Sequence, residues 1–341
     1  MSLQPILMVV VDTEEEFDWS APLSPHATAV TAMAHVRFGQ EICDHFAIRP
    51  VYVIDYPVAS QEPGWLPLKG FMQEDRAFIG AHLHPWVNPP FVDMCEPAHS
   101  FPGNLPRHLE QEKLAVLTQQ IASVMGRMPT IYKAGRYGLG PNTPSVLAEL
   151  GYEFDLSSAP PYDFSDQGGP DFSNACNQPG PMSAHNHVLS LPTTGDYIGL
   201  LTHSRPLAHR IYRRVVTHPQ LKSLHLPGIF ARTRLLDRIR LSPEGHTLDE
   251  LKRLTLALLD RGLQVFSFSF HSPSLKPGCT PYVRDKKDLQ LFLATMHRYF
   301  HFFFHELNGI AMTPWEVKKW AEASVNQTTL NPILPLGRDL P

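Results

Sequence analysis

Short apolar runs rich in β-branched residues recur along this chain, and segments with apolar residues at helical spacing separate them. Ile6 to Val11 is the first such run and reads as a strand buried on both faces. Ala27 to Phe46 carries Val30, Met33, Ala34, Ile42 and Phe46 at roughly helical spacing, and Ile48-Arg49-Pro50 closes it. Val51 to Ile54 predicts a second strand, Leu66 to Asp75 a helix after the Pro63-Gly64 break, and Ala77 to Ala81 a third strand. Asn88 to Arg107 is Pro-rich and longer than a simple connection, which points to a wall of a site.

The alternation continues beyond that loop. His108 to Met125 predicts a helix with Leu109, Leu114, Leu117, Ile121 and Val124 inward; Pro129 to Tyr132 predicts a strand, Thr143 to Leu150 a helix, and Tyr152 to Asp155 another strand. Ser157 to His185 is dense in Pro, Gly, Ser, Asp and Asn and reads as irregular structure anchored by Tyr162, Phe164 and Phe172. His187 to Leu191 predicts a strand and Pro206 to Thr217 a basic helix. Thr247-x-x-Glu250 is a capping box that opens a helix running to Arg261, with Gly262 as its stop. Gln264 to Phe268 predicts the last central strand, Lys286 to Leu307 a long aromatic-rich helix, and Trp315 to Ala323 a terminal one.

Strands alternating with helices predict an α/β fold, and the length favours one distorted (β/α) barrel with about seven parallel strands and long loops. The domain is expected over residues 1–323, with 324–341 as a flexible tail lacking periodicity. Residues are 43% hydrophobic and 18% charged, with a net charge of -4, so no basic excess argues for nucleic acid or an acidic membrane surface. No apolar run approaches ~20 residues and no secretory leader is visible, so the expectation is a cytoplasmic protein without a membrane span. Cys43, Cys95, Cys176 and Cys279 lie far apart with no Cys-x-x-Cys pair, and read as free thiols.

The chemistry concentrates at predicted strand ends. Asp12 and Glu14 follow the first strand and, two apart in extended chain, share a face. Two converging acids repel unless a cation or a shared proton separates them; a solvated acidic loop is the plain alternative for this stretch alone. His82 and His84 repeat the spacing after the third strand. If the two strands are close in a parallel sheet, the four side chains meet at one mouth, a mixed nitrogen and oxygen set that suits zinc. Lys133 and Arg136, with Tyr137 beside them, follow the fourth strand, where a cation would hold an acid ionised or receive developing negative charge. His271 follows the last.

This order of motifs, Asp12-Thr13-Glu14, His82-Leu83-His84, Lys133-Ala134-Gly135-Arg136-Tyr137-Gly138 and Phe270-His271, resembles the polysaccharide deacetylases of the carbohydrate esterase family 4 type. The resemblance runs from about Ile6 to Leu275 and implies hydrolysis of an N-acetyl group on a sugar. It implies Asp12 as catalytic base, His271 as general acid, and Lys133 where an Arg normally braces the base. Arg136 and Tyr137 would lie near the turn whose backbone N–H faces the oxyanion. Glu14, His82 and His84 would hold a divalent metal, most simply zinc. The family's usual second histidine position, four residues after His82, is Trp86 here, so His84 is expected to serve as ligand and Trp86 as an apolar wall for a sugar ring. A carbohydrate is therefore the expected partner. Competing expectations are hydrolysis of another C–N amide, such as a ureide or cyclic amide, and a catalytically inactive carbohydrate-binding module; a closed structural metal site fits poorly because such sites are usually cysteine-rich.

Overall fold

A computed structural model of the chain describes residues 4–91, 97–182, 187–200, 202, 205–217 and 236–330. The predicted alternation is realised as β1 (Ile6–Thr13), α1 (Arg37–His45), β2 (Val51–Ile54), α2 (Tyr56–Ser60), α3 (Glu62–Gln73) and β3 (Phe78–Leu83). There follow α4 (Arg107–Met125), β4 (Ile131–Ala134), α5 (Thr143–Glu149), β5 (Phe154–Asp155), β6 (Gly180–Pro181), β7 (Leu189–Ser190) and β8 (Gly195–Ile198). The remainder is α6 (Arg205–Thr217), β9 (Asp237–Arg240), α7 (Leu248–Asp260), β10 (Val265–His271), α8 (Lys286–His301), β11 (Ile310–Ala311) and α9 (Pro314–Leu330).

One curled sheet has the order β10-β1-β2-β3-β4-β5-β7-β6, with β11 also on β1. From β10 to β7 every pairing is parallel; β6 alone runs antiparallel to its neighbour. The result is a distorted, half-closed (β/α) barrel rather than a full ring of eight units. Across the opening between β7 and β10, residues at the ends of the small two-stranded β8–β9 sheet act as a splice. The Ser267 N–H donates to Thr194 Oγ1 at 2.8 Å and the Ser269 N–H to Leu241 O at 3.0 Å.

Alternation along the strands sorts the core into two layers. Leu7, Val9 and Val11 of β1 face outward into the large cluster shared with the helices, including Leu114, Leu117 and Ile121 of α4. Met8 and Val10 face inward with Val51, Val53, Ile131, Phe154 and Val265, and Trp315 of α9 packs beneath them. Asp12 continues that inward row one step further along β1, so the polar cluster is the top layer of the barrel interior. Register does the rest, since Asp12 lies opposite His271 on β10 and His82 opposite Lys133 on β4.

Several local expectations are corrected. The 27–46 segment becomes a short turn of helix and α1, and α2 was not anticipated; its N-terminus is made by Asp55, whose side chain accepts from the Val58 N–H at 2.8 Å. Beyond His301 the aromatic helix widens into a π turn, Phe302–Glu306. α9 runs to Leu330, so the first part of the predicted tail is helical, while 331–341 lies outside the described residues. Cys43, Cys176 and Cys279 are free thiols, and Cys95 lies outside the described residues. Among the described residues no helix is long and apolar enough to cross a membrane.

Candidate active site

The strand ends open into a cavity of about 1460 Å³ lined by Asp12, Glu14, His82, His84, Trp86, Arg136, Tyr137 and His271, eight of the nine residues singled out from sequence. Lys133, the ninth, is fully buried beneath it and reaches up to Asp12.

Three of these side chains make a triangle. Glu14 Oε2 is 3.5 Å from His82 Nε2 and 3.5 Å from His84 Nε2. A tetrahedral ion with bonds of about 2.0–2.1 Å has ligand atoms about 3.3–3.4 Å apart, so the spacing fits a divalent metal with little adjustment. Glu14 Oε1 is buried with no hydrogen-bond partner, as a ligand-ready acceptor would be. Burial pushes the Glu14 carboxyl well above its ordinary range, and the neighbouring Glu15, Asp12, Asp55 and Glu244 push it further. Burial drives His82 well below its ordinary value and His84 down to about 4. Neutral imidazoles among crowded acids are short of positive charge, which a divalent ion supplies.

The imidazoles are aimed from behind. His82 Nδ1 lies 3.0 Å from Lys133 O, an acceptor, and so carries the proton and leaves Nε2 free. His84 Nδ1 lies 2.8 Å from Glu15 Oε2, and the Trp86 Nε1–H donates to the other oxygen of the same carboxylate, also at 2.8 Å. Glu15 is itself held by Asp55, whose Oδ2 accepts the Glu15 backbone N–H at 2.6 Å. A carboxylate behind a metal-facing histidine fixes its tautomer and ring plane. Gly135 is required here, because a Cβ at that position would stand 2.5 Å from both His84 Cδ2 and Leu83 O.

Beside the triangle stand Asp12 and His271. Lys133 Nζ donates to both Asp12 oxygens at 2.6 and 2.7 Å. Burial alone would raise Asp12, but the Lys133 ammonium, with His271 and His82, outweighs it and brings the carboxyl down to about 2. His271 Nε2 is 3.6 Å from Asp12 Oδ2. Its Nδ1 lies 2.7 Å from Glu244 Oε2, and its backbone N–H donates to Oε1 of the same residue at 3.0 Å. Burial works against Glu244, but His271 and Ser274 hold it below its ordinary value, so it is an ionised acceptor.

Trp86 departs from the simple wall expected of it. It is 5% exposed and stacks on His84 with ring centroids 4.3 Å apart at 24°, so one face already serves the imidazole. Tyr137 packs against Lys133 and receives a hydrogen bond from Arg240. Arg136 and Tyr137 both have left-handed backbone, at φ 54° and 58°, which delivers the two side chains to the same cavity.

Sequence reasoning missed Glu15, Asp55, Glu244 and Arg240. Glu15 belongs to the acidic run, yet strand alternation would turn it away from Asp12 and Glu14. It does point away, into the protein behind His84. Glu244 follows β9, a strand whose Asp-Arg-Ile-Arg sequence carries no apolar run to announce it.

No protein-family model matches the chain, and no curated protein matches its sequence. Solved structures do share its architecture. A Mycobacterium smegmatis protein described as a candidate polysaccharide deacetylase aligns over 100% of this chain and 97% of its own, with a TM-score of 0.50 and 14% identity. One from Pseudomonas aeruginosa PAO1, similarly described, aligns over 93% and 91% with a TM-score of 0.51 and 14% identity. Puue allantoinase aligns over 94% and 90% with a TM-score of 0.50 and 15% identity. At such identities the likeness speaks for architecture, and the chain has the fold of the polysaccharide deacetylases.

Proposed function

We propose that the protein is a metal-dependent amide hydrolase that removes an N-acetyl group from an N-acetylated sugar or polysaccharide, with residues 1–323 as its catalytic domain. The observation that carries this reading is that an ionised Asp12 and a Glu244-backed His271 line the same cavity as the Glu14–His82–His84 triangle. A divalent ion held by Glu14, His82 and His84, zinc by its taste for mixed nitrogen and oxygen donors, would supply Lewis-acid polarisation of the scissile carbonyl.

The chain's own groups perform the proton work. Asp12 takes the proton of the attacking water. Lys133 keeps that carboxylate charged and locates both of its oxygens. His271, turned by Glu244 so that Nε2 faces the cleft, gives a proton to the departing nitrogen. The turn at Tyr137 offers backbone N–H to the developing oxyanion. Burial of the cluster keeps bulk water from competing for these charges.

The likeness to an allantoinase favours a second reading, hydrolysis of a ureide or another C–N amide by the same groups. The test is to measure metal content and acetate release from N-acetylated sugars, alongside ammonia or urea release from ureides. Asp12→Asn and His271→Ala should each lower kcat by about 10²-fold or more with the fold intact. Wild-type turnover in either variant removes that residue from the mechanism. A protein that takes up no divalent ion overturns the reading.

A further inference from the structure

Two guanidinium groups share the cavity with Asp12 and His271. Arg136 lies on the Phe101 ring, 4.1 Å from its centroid, and donates to Ser100 Oγ and Gln167 Oε1. Arg240 packs on Tyr137 and Tyr162, at 5.5 and 5.3 Å, and donates from Nη1 to the Tyr137 hydroxyl. Among the described residues neither forms an ion pair, and Arg240 Nε is a buried N–H with no acceptor.

The acids nearby are already committed. Asp12 is held by Lys133, Glu244 by His271 and Ser274, and Glu15 by His84 and Trp86, while Glu14 faces the two Nε2 atoms. Both guanidinium groups are half-buried, and no carboxylate among the described residues touches either of them, so a cavity that holds the two can receive negative charge.

We propose that the substrate is an acidic N-acylated sugar, whose carboxylate or phosphate group is received by Arg136 and Arg240 while its N-acyl group lies at Asp12 and His271. This rests on the hydrolase reading and narrows it. Lys133 and Arg240 both lie against the Tyr137 ring, at 5.1 and 5.5 Å from its centroid. Lys133 Nζ and the Arg240 guanidinium are thus separated by no more than those two distances together, and Asp12 lies 2.6 Å from Lys133 Nζ, a span that about two sugar residues cover. Planar guanidinium groups suit this task, since each offers paired N–H donors to two oxygens of a carboxylate or phosphate.

Trp19 and Trp86 line the cavity and report binding by fluorescence on rapid mixing, ahead of turnover. The zinc-loaded protein is titrated with N-acetylglucosamine, N-acetylmuramic acid and N-acetylglucosamine 6-phosphate. One or both acidic sugars should bind roughly tenfold or more tighter than the neutral one, with the advantage shrinking as salt rises. Whether the carboxylate or the phosphate gains more identifies the anion. Arg136→Gln and Arg240→Gln should each erase most of that advantage; should Arg240→Gln fail to fold for want of its tyrosine packing, Arg136→Gln carries the test. Equal affinity for neutral and acidic sugars, or a preference that survives in the variants, overturns the proposal. Acetate release is measured separately: acid preference without it sustains the anion site and overturns N-deacetylation, whereas release with no acid preference does the reverse.

Discussion

Gly135→Ala adds one methyl group and should disarm the triangle. Its Cβ would lie 2.5 Å from His84 Cδ2 and 3.2 Å from His84 Nε2, with Leu83 O at 2.5 Å on the other side. Carbon atoms in contact prefer about 3.5–4.0 Å, so roughly 1 Å of separation must be found. The carbonyl belongs to β3 and resists movement, which leaves the imidazole to yield. It cannot swing freely, because its ring is stacked on Trp86 and its Nδ1 is tied to Glu15. Metal–ligand distances tolerate only about ±0.2 Å, so a shift of that order takes His84 out of the ligand set. Loss of a supporting hydrogen bond typically lowers metal affinity about 10–100-fold, and loss of the ligand should do at least as much. Overpacking should also cost about 1–3 kcal/mol of stability. The assay is competition for zinc against a chromophoric chelator, with thermal melts of the metal-free protein alongside. Gly70→Ala is the control, since a Cβ there meets nothing within 4 Å and helix propensity should gain about 0.5–1 kcal/mol without touching zinc. Zinc affinity in Gly135→Ala equal to that of the unaltered protein would refute the argument that His84 is a ligand packed against this turn.

Glu15→Gln keeps the shape behind His84 but removes the charge that fixes its tautomer, and zinc affinity should fall about 10–100-fold; unchanged affinity would show that Trp86 stacking suffices. Lys133→Gln leaves Asp12 buried without its ammonium, so the acid limb of the kcat/KM profile should move upward in pH, and an unmoved limb rejects Lys133 as the group that keeps the base ionised. The same pair sets a stability window: Asp12 titrates at about 2 in the fold against an ordinary 3.8, so its contribution is present above the ordinary value and is lost as pH falls toward 2. In Lys133→Gln that contribution disappears, and removing one partner of a buried pair should cost about 3–5 kcal/mol at neutral pH in chemical denaturation. Glu110 on α4 carries the opposite sign, because burial lifts it to about 7 and the fold keeps its proton longer than the unfolded chain does; stability should fall as pH rises from 4.5 to 7, and Glu110→Gln should flatten that slope in melts across the range.

The strand ends were legible in the sequence because their apolar runs are unmistakable. Ile6 to Val11, Val51 to Ile54 and Val265 to Phe270 form buried strands that could hardly face water, and the residue after such a run lands at the barrel mouth. Two-residue spacing then predicts that Asp12 pairs in space with Glu14, and His82 with His84. What supports them was not legible. Alternation turns Glu15 away from the mouth without saying that it meets His84 there, and Asp55 and Glu244 act from turns, where periodicity carries no information. Arg240 lies on a strand with only Ile239 buried, so no hydrophobic alternation marks it. Lys113 is the sharpest case, a lysine among the inner leucines of α4. Its ammonium is fully buried, donating to the carbonyls of Pro85, Asn88 and Pro90 and thereby anchoring the loop after His84. Binary patterning places a lysine outward; only the loop's unsatisfied carbonyls explain why it turns in.

His82, His84 and His271 share one arrangement, with each Nδ1 tethered and each Nε2 presented. A receptor whose donors are frozen before the guest arrives gives up little side-chain entropy on capture. Uptake of an ion should therefore be limited by the shedding of the ion's own hydration water rather than by folding of the pocket around it. Such rigidity also makes the pocket an indifferent judge of identity, since a preformed set of two nitrogens and a carboxylate follows the general affinity order of divalent transition metals. On the proposed metal-dependent reading, the ion taken up would then be decided by which one the surroundings supply.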